Sequence, residues 1–332
     1  MRIDVHTHLV PHCFWDGIAT KGNWYGATVE QAGGQEYVSA VGRRAGPVEP
    51  AWRAAPEARL RDMDATGIDV QVLSIATYLT NYHLDAKQAL ASSREVNAEM
   101  AAIVRAHPKR FVGLATVPLQ DPAMAVEVLH HAVHDLGLKG VELATNVDGR
   151  NYDDPAFAPF FAAAEKLGAF VFFHPHAPAA ADRLSKYYLA NLVGFPLETA
   201  ITLATIIFGG VLDRFPDLKL CFPHGGGYGC YGIGRLDHGF AVRAEPKVTI
   251  AKPPSEYLQR CSYDCIVHSY PALDLLLGAV GPDNVLLGSD YPFDMGFADP
   301  VGWLSKAPKL SATTREKILG GNAARLLGLP AK

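Results

Sequence analysis

His6 and His8 stand one residue apart at the end of the first apolar run of the chain. In an extended strand, residues two apart project from one face, so both imidazoles can converge on a single metal ion. Three further apolar runs end in the same chemistry. Phe170-Val171-Phe172-Phe173 leads into His174-Pro175-His176, Leu218-Lys219-Leu220-Cys221-Phe222 into Pro223-His224, and Val285-Leu286-Leu287 into Gly288-Ser289-Asp290. Neutral imidazole and carboxylate are good ligands for Zn2+ or Mn2+. A divalent ion with an open position polarises a substrate oxygen or activates water. A further imidazole beside it can move a proton near neutral pH. Taken singly, each residue has a plainer explanation. His174 or His224 fits a hydrogen-bonded strand end, and Asp290 fits an Asx-turn ahead of Pro292. The joint occurrence at four strand ends is what argues for a metal site.

The elements that would position these residues alternate along the chain. Candidate strands are 3–5, 70–75, 111–116, 140–143, 170–173, 218–222, 262–266 and 284–287. Several are continuous apolar runs, as expected of parallel strands covered on both faces. Candidate helices between them are 56–66, 85–106, 122–136, 155–167, 196–208, 271–279 and 313–327. Many open with Pro in the first turn and end near Gly67, Gly137, Gly168 or Gly209, the usual start-and-stop asymmetry. Eight βα repeats predict an α/β fold, a (β/α)8 TIM barrel spanning 1–332 as one domain, with a doubly wound sheet as the alternative. In such a barrel the site lies at the C-terminal ends of the strands. Residues 12–55 break the alternation. They hold Gly22, Gly26, Gly33, Gly34, Gly42, Gly46 and the aromatics Trp15, Trp24, Tyr25 and Trp52. This segment reads as an irregular insertion after strand one, an ordered lid or small ribbon over the barrel mouth.

Composition narrows the function classes. The 332 residues are 49% apolar and 19% charged, against about 25% charged for an average domain, which suits a large core. Thirty Lys and Arg against 34 Asp and Glu give a net charge of −4. A non-specific nucleic-acid binder normally shows a basic surplus, so no nucleic-acid partner is expected. The most apolar stretch, 201–212, is short of the roughly 20 residues that cross a bilayer, and no membrane partner is expected. Cys13, Cys221, Cys230, Cys261 and Cys265 form no CxxC pair. Free thiols and the lack of an apolar signal core suit a cytoplasmic protein. The glycines at 225–227 lack a P-loop pattern. His130, His131 and His134 read as a solvated helix face, and Glu198 as a partner of its helix dipole, with ligand or substrate orientation as the other possibility.

Six segments together resemble the amidohydrolase superfamily, in its branch of aminocarboxymuconate-semialdehyde and related ring decarboxylases. They are Asp4-Val5-His6-Thr7-His8, Val117-Pro118-Leu119-Gln120-Asp121, His174-Pro175, His224-Gly225-Gly226-Gly227, Pro253-Pro254-Ser255-Glu256-Tyr257 and Gly288-Ser289-Asp290-Tyr291-Pro292-Phe293. The resemblance implies that His6, His8, His174 and Asp290 hold one divalent ion, Zn2+ first and Mn2+ second. It implies that His224, with Asp290, serves catalytic proton transfer. Gly234-Arg235-Leu236-Asp237 is similar to the segment whose arginine reaches the neighbouring subunit's substrate carboxylate, which implies a homodimer; the plainer role for Arg235 is a surface pair with Asp237. A second substrate arginine corresponds to Arg43 or Arg44, since a planar guanidinium binds carboxylate bidentately. After Pro175 the chain departs from the family pattern, and His176 is taken as a substrate contact. The expected activity is non-oxidative decarboxylation of a small unsaturated or aromatic acid, such as an aminocarboxymuconate semialdehyde or a hydroxybenzoate. The alternative is hydrolysis or hydration of a small amide, lactone or unsaturated acid at the same ion.

Overall fold

Strand β1 (Ile3–Leu9) is buried at all seven positions, so it must lie between two apolar layers. The computed structural model, which describes residues 1–330, supplies both. After β1 come three short strands of the insertion, β2 (Thr28–Ala32), β3 (Gln35–Ala40) and β4 (Arg43–Ala45). The main sheet resumes with β5 (Val70–Ile75), β6 (Phe111–Gly113), β7 (Gly140–Ala144), β8 (Phe170–His174), β9 (Lys219–Phe222), β10 (Ser262–Asp264) and β11 (Val285–Leu286). Parallel pairing runs β1-β5-β6 and β7-β8-β9-β10-β11. Two seams join these halves into a ring. Ala115 N–H donates to Gly140 O and Glu142 N–H to Ala115 O, while Val5 N–H donates to Leu287 O and Asp290 N–H to His6 O. Eight parallel strands therefore close into a barrel, and the doubly wound alternative falls.

A register shift between Asp4 and Thr7 interrupts the pairing of β1 with β5. Such a bulge re-aims side chains. Ile3 and Val5 pack with Phe170 and Phe172 inside the barrel, and His6, one residue on, also meets the Phe172 ring at 4.9 Å. The bulge thus keeps His6 and His8 on the same interior side as Val5. Asp4 turns away and ties the strands, accepting Ser289 N–H at 3.0 Å and Ser289 Oγ–H at 2.5 Å. At the opposite end, Ala323, Ala324 and Leu327 plug the barrel floor.

The helices Pro56–Thr66, Ala86–Ala106 and Pro122–His134 follow the expected spans closely. Two spans differ. The segment expected at 313–327 is broken by a π-turn over Lys317–Gly321. The helix expected from 196 continues back through a π-turn, giving a 19-residue apolar segment Ala190–Phe208 that is long enough to cross a membrane. It packs on the barrel through Glu198, Thr199, Thr202, Leu203, Ile206 and Ile207, and a buried carboxylate suits such packing better than lipid. Helices His12–Lys21 and Ile233–Val242 had no counterpart among the expected elements; the second carries Gly234 and Gly239 and buries no residue.

The insertion contains the expected small ribbon, and it is more regular than its sequence suggested. It is a helix followed by a three-stranded antiparallel ribbon. Glu99 of the helix Ala86–Ala106 accepts His12 N–H at 2.7 Å and Cys13 N–H at 2.9 Å, capping the insertion's helix. Glu95, one turn earlier, accepts Trp24 Nε1–H and Tyr25 Oη–H. Phe14, Trp24, Val38 and Trp52 pack against Val10, Ile75 and Ala76, which follow or end β1 and β5, so the ribbon stands on the mouth of the barrel.

Candidate metal centre

The ends of β1, β8 and the segment after β11 bring His6, His8, His174 and Asp290 together. One ligand atom from each lies within 4.8 Å of the others, and all four residues are buried. Backing groups decide which ring nitrogen is free. His8 Nδ1 lies 3.1 Å from Ile75 O, and a carbonyl only accepts, so that nitrogen carries the proton. His6 Nδ1 lies 2.6 Å from Asp264 Oδ2 and donates likewise. Thr77 Oγ1 donates to Glu142 Oε1 at 3.0 Å and so accepts from His174 Nδ1 at 2.6 Å. These outer contacts fix the tautomers, as metal-binding imidazoles require, and each Nε2 is left with its lone pair facing the centre.

His6 Nε2 and His8 Nε2 then approach to 3.0 Å, with Asp290 Oδ1 3.3 and 3.2 Å from them. His174 Nε2 and Asp290 Oδ1 have no hydrogen-bond partner. Converging lone pairs in a buried site call for a cation. Burial works to depress His6, but the Asp290 and Asp264 carboxylates outweigh it and raise it, so the centre favours positive charge. Asp290, despite burial, is held well below the carboxylate range by His6, His224 and His8. The donor set fits one divalent ion.

His224 stands beside this set. Its Nε2 is 3.8 Å from Asp290 Oδ2, its ring centroid is 5.2 Å from that of His6, and its side chain is 19% exposed. The turn that carries it needs glycine: at Gly227 (φ +61) a Cβ would lie 2.2 Å from Pro196 O. Asp264 Oδ1 accepts Gly225 N–H at 3.1 Å, so one carboxylate braces both His6 and the turn after His224.

The amidohydrolase family model matches residues 3–329. The chain belongs to that family. It is 36% identical to the 2-amino-3-carboxymuconate-6-semialdehyde decarboxylase of Dictyostelium discoideum, over 99% of this chain and 92% of the relative. Among solved structures, 5-carboxyvanillate decarboxylase from Sphingomonas paucimobilis superposes with a TM-score of 0.85 at 27% identity, covering 99% of both chains. A mutant of the corresponding enzyme of Novosphingobium aromaticivorans, solved with bound manganese, gives a TM-score of 0.82 at 25% identity, over 99% of this chain and 97% of that one.

Around the amidohydrolase centre, the structure sorts the expected substrate residues. Neighbours on a strand face opposite ways, so the two arginines of β4 project to opposite faces of the ribbon. Arg44 Nη2 pairs with Glu30 at 2.8 Å and its guanidinium lies over Tyr37. Arg43 is half-buried; burial pulls its guanidinium down and the Glu198 carboxylate opposes that shift. His176 is driven down to about 4 by burial, with Arg43 and His83 adding to the shift, so it is neutral at pH 7. Glu198 lies in the first turn of the helix Phe195–Phe208, as expected of a dipole partner, and also makes contacts outside that helix. It is 5% exposed and accepts Asn146 Nδ2–H at 3.1 Å and Ala179 N–H at 2.6 Å, pinning the loop after His176. Arg235 is exposed. Among the described residues it forms no ion pair with Asp237, whose carboxylate instead accepts Ser255 N–H.

Asp264, Thr77 and Glu142 escaped the sequence reading. Glu142 had a usable signal, a charge between Val141 and Leu143 in an apolar strand. Asp264 and Thr77 act through contacts 258 and 97 residues away in sequence, which no local pattern contains.

Proposed function

We propose that this amidohydrolase is a metal-dependent, non-oxidative decarboxylase of a small unsaturated or aromatic carboxylic acid. The observation that carries this is the convergence of three Nε2 lone pairs and the Asp290 carboxylate beside His224, in a chain whose full-length relatives are decarboxylases. Loss of CO2 from an sp2 carbon is unfavourable until that carbon is protonated. In this reading His224 gives the proton from Nε2 to the carbon, which bonds it with an electron pair of its own double bond; as CO2 leaves, the C–C electron pair re-forms that double bond, and solvent restores the proton to His224. Asp290, held ionised, is a ligand and a partner for the imidazolium rather than a proton donor. Arg43 pairs with the substrate carboxylate and His176 contacts the substrate at the mouth. The ion, held by His6, His8, His174 and Asp290, would withdraw electrons from a substrate oxygen. The donor set favours Zn2+ and also accepts Mn2+; metal analysis of the purified protein distinguishes them.

The working unit in this reading is a homodimer in the cytoplasm. Its support is the exposure around the helix Ile233–Val242, which buries no residue and carries Arg235: Tyr231 just before it and Val248 just after it are 78% and 83% exposed. An active monomer in sedimentation would overturn the dimer. The activity itself is tested by CO2 release from aminocarboxymuconate semialdehyde, 5-carboxyvanillate and hydroxybenzoates. The metal-loaded protein is expected to act on at least one, and His224→Ala to keep its ion and lose the activity. A product that gains water without gas selects the hydrolytic alternative, and no CO2 from any acid overturns the reading.

A further inference from the structure

One arginine lies inside the protein. Arg59 is 5% exposed, and no other arginine or lysine among the described residues is buried. Its Nη2 donates to His8 O at 2.5 Å and its Nη1 to Gln71 Oε1 at 3.2 Å, and its guanidinium lies 4.5 Å over the Tyr291 ring. These partners are all neutral, and a buried charge is costly unless it is paired. Arg59 stands on the helix Pro56–Thr66. Asp62, three residues on and so on the same face, accepts Tyr291 Oη–H at 2.7 Å. The helix therefore grips the Tyr291 side chain twice, by its ring and by its hydroxyl. What these contacts hold is a junction between two metal ligands. His8 N–H donates to Tyr291 O at 2.7 Å, Thr7 forms a bridge to Tyr291, and Tyr291 directly follows Asp290. Asp290 itself is in the left-handed region, with φ +64. That conformation is unfavourable for a residue with a side chain and persists only where surrounding contacts over-determine it. Asp290 Oδ1 nevertheless stands 3.2 Å from His8 Nε2, close enough for one ion to take both. Arg59 thus holds the carbonyl of one ligand and the ring next to the other.

We propose that Arg59 is a positioning residue of the metal centre: by gripping His8 O and the Tyr291 ring it fixes the separation of His8 and Asp290 across the seam between the first and last barrel strands. It acts through those two ligands rather than on the ion. The inference rests on the metal centre and not on the reaction assigned to it. The test is Mn2+ affinity, measured by competition titration with a chelator on folded, metal-stripped protein. Arg59→Met keeps an unbranched chain and removes the donors and the charge; it is expected to bind Mn2+ at least tenfold more weakly than wild type. Arg59→Lys keeps the charge but loses the planar two-donor fork, and it is expected to weaken binding at least threefold while staying tighter than Arg59→Met. Glu99→Ala separates positioning from a general loss of stability. Its carboxylate holds only the His12 and Cys13 N–H groups of the insertion's helix, and its affinity is expected to stay within twofold of wild type. Arg59→Met within twofold of wild type would overturn the proposal, and so would an equal weakening in Glu99→Ala. Should Arg59→Met yield no folded protein, Arg59→Lys decides: weakening of threefold or more supports the proposal and anything less overturns it. Wild type that takes up neither Mn2+ nor Zn2+ sinks the metal centre and this claim with it, whereas wild-type binding with unmoved Arg59 variants sinks this claim alone.

Discussion

The strand ends and the mouth of this barrel hold their side chains in opposite ways. At the strand ends each ligand imidazole is fastened from behind, His6 by Asp264, His8 by Ile75 O and His174 by Thr77, so that one ring nitrogen is committed and the other is free. At the mouth, Trp52 Nε1 and Tyr78 Oη are buried without partners in the chain, and Arg43 is half-buried with Glu198 near. The first arrangement is complete apart from a cation; the second leaves polar atoms without partners. The contrast sets donors fixed from behind against loop groups that are only partly paired. It follows barrel architecture, in which rigid strands carry the chemistry and loops vary the substrate.

Substitutions can break this division. The largest effect is expected at the strand ends: losing one of four donors forfeits roughly a quarter of ~12 kcal/mol of metal binding, about a hundredfold or more in affinity. His6→Ala should therefore lose its ion on dialysis, by elemental analysis, and all CO2 release with it. A mouth residue should behave differently. Arg43→Ala removes a charge-assisted contact of about 1.5–3 kcal/mol, so KM should rise roughly 10- to 100-fold with metal content unchanged. Arg44→Ala, whose guanidinium is already paired with Glu30, should move KM less than twofold; equal effects at the two positions would refute the assignment of β4's inward face. Asp264→Asn keeps an acceptor for His6 but weakens it, and about tenfold lower metal affinity is expected in a competition titration with a chelator, with activity recovered by excess ion. Smallest is Glu99→Ala. Loss of that cap is expected to cost about 1 kcal/mol and lower Tm by about 2 °C in calorimetry, without displacing the ion.

Local pattern carried much of this. The Pro-to-Gly punctuation marked most of the helices, the apolar runs marked the eight strands, and the strand-end His and Asp residues marked the ligand set. The misses share a cause. The insertion's helix and the turn after it are held by Glu99 and Glu95 of another helix, so the local sequence, rich in glycine, shows no helix there. Glu198 looks like a dipole partner from its own helix; its actual neighbours, Asn146 and Ala179, come from two other loops.

What the sequence determined by itself was donor chemistry and strand periodicity, because residue type and the two-residue repeat are properties of the chain. What only the tertiary structure decided was direction. The bulge in β1 set which side His6 and His8 face, and barrel closure brought Asp290 to His6. The backing groups set which nitrogen is free, and the alternation of β4 separated Arg43 from Arg44. Each of these is a contact between segments far apart in the chain, whose relative position is fixed only when the core packs.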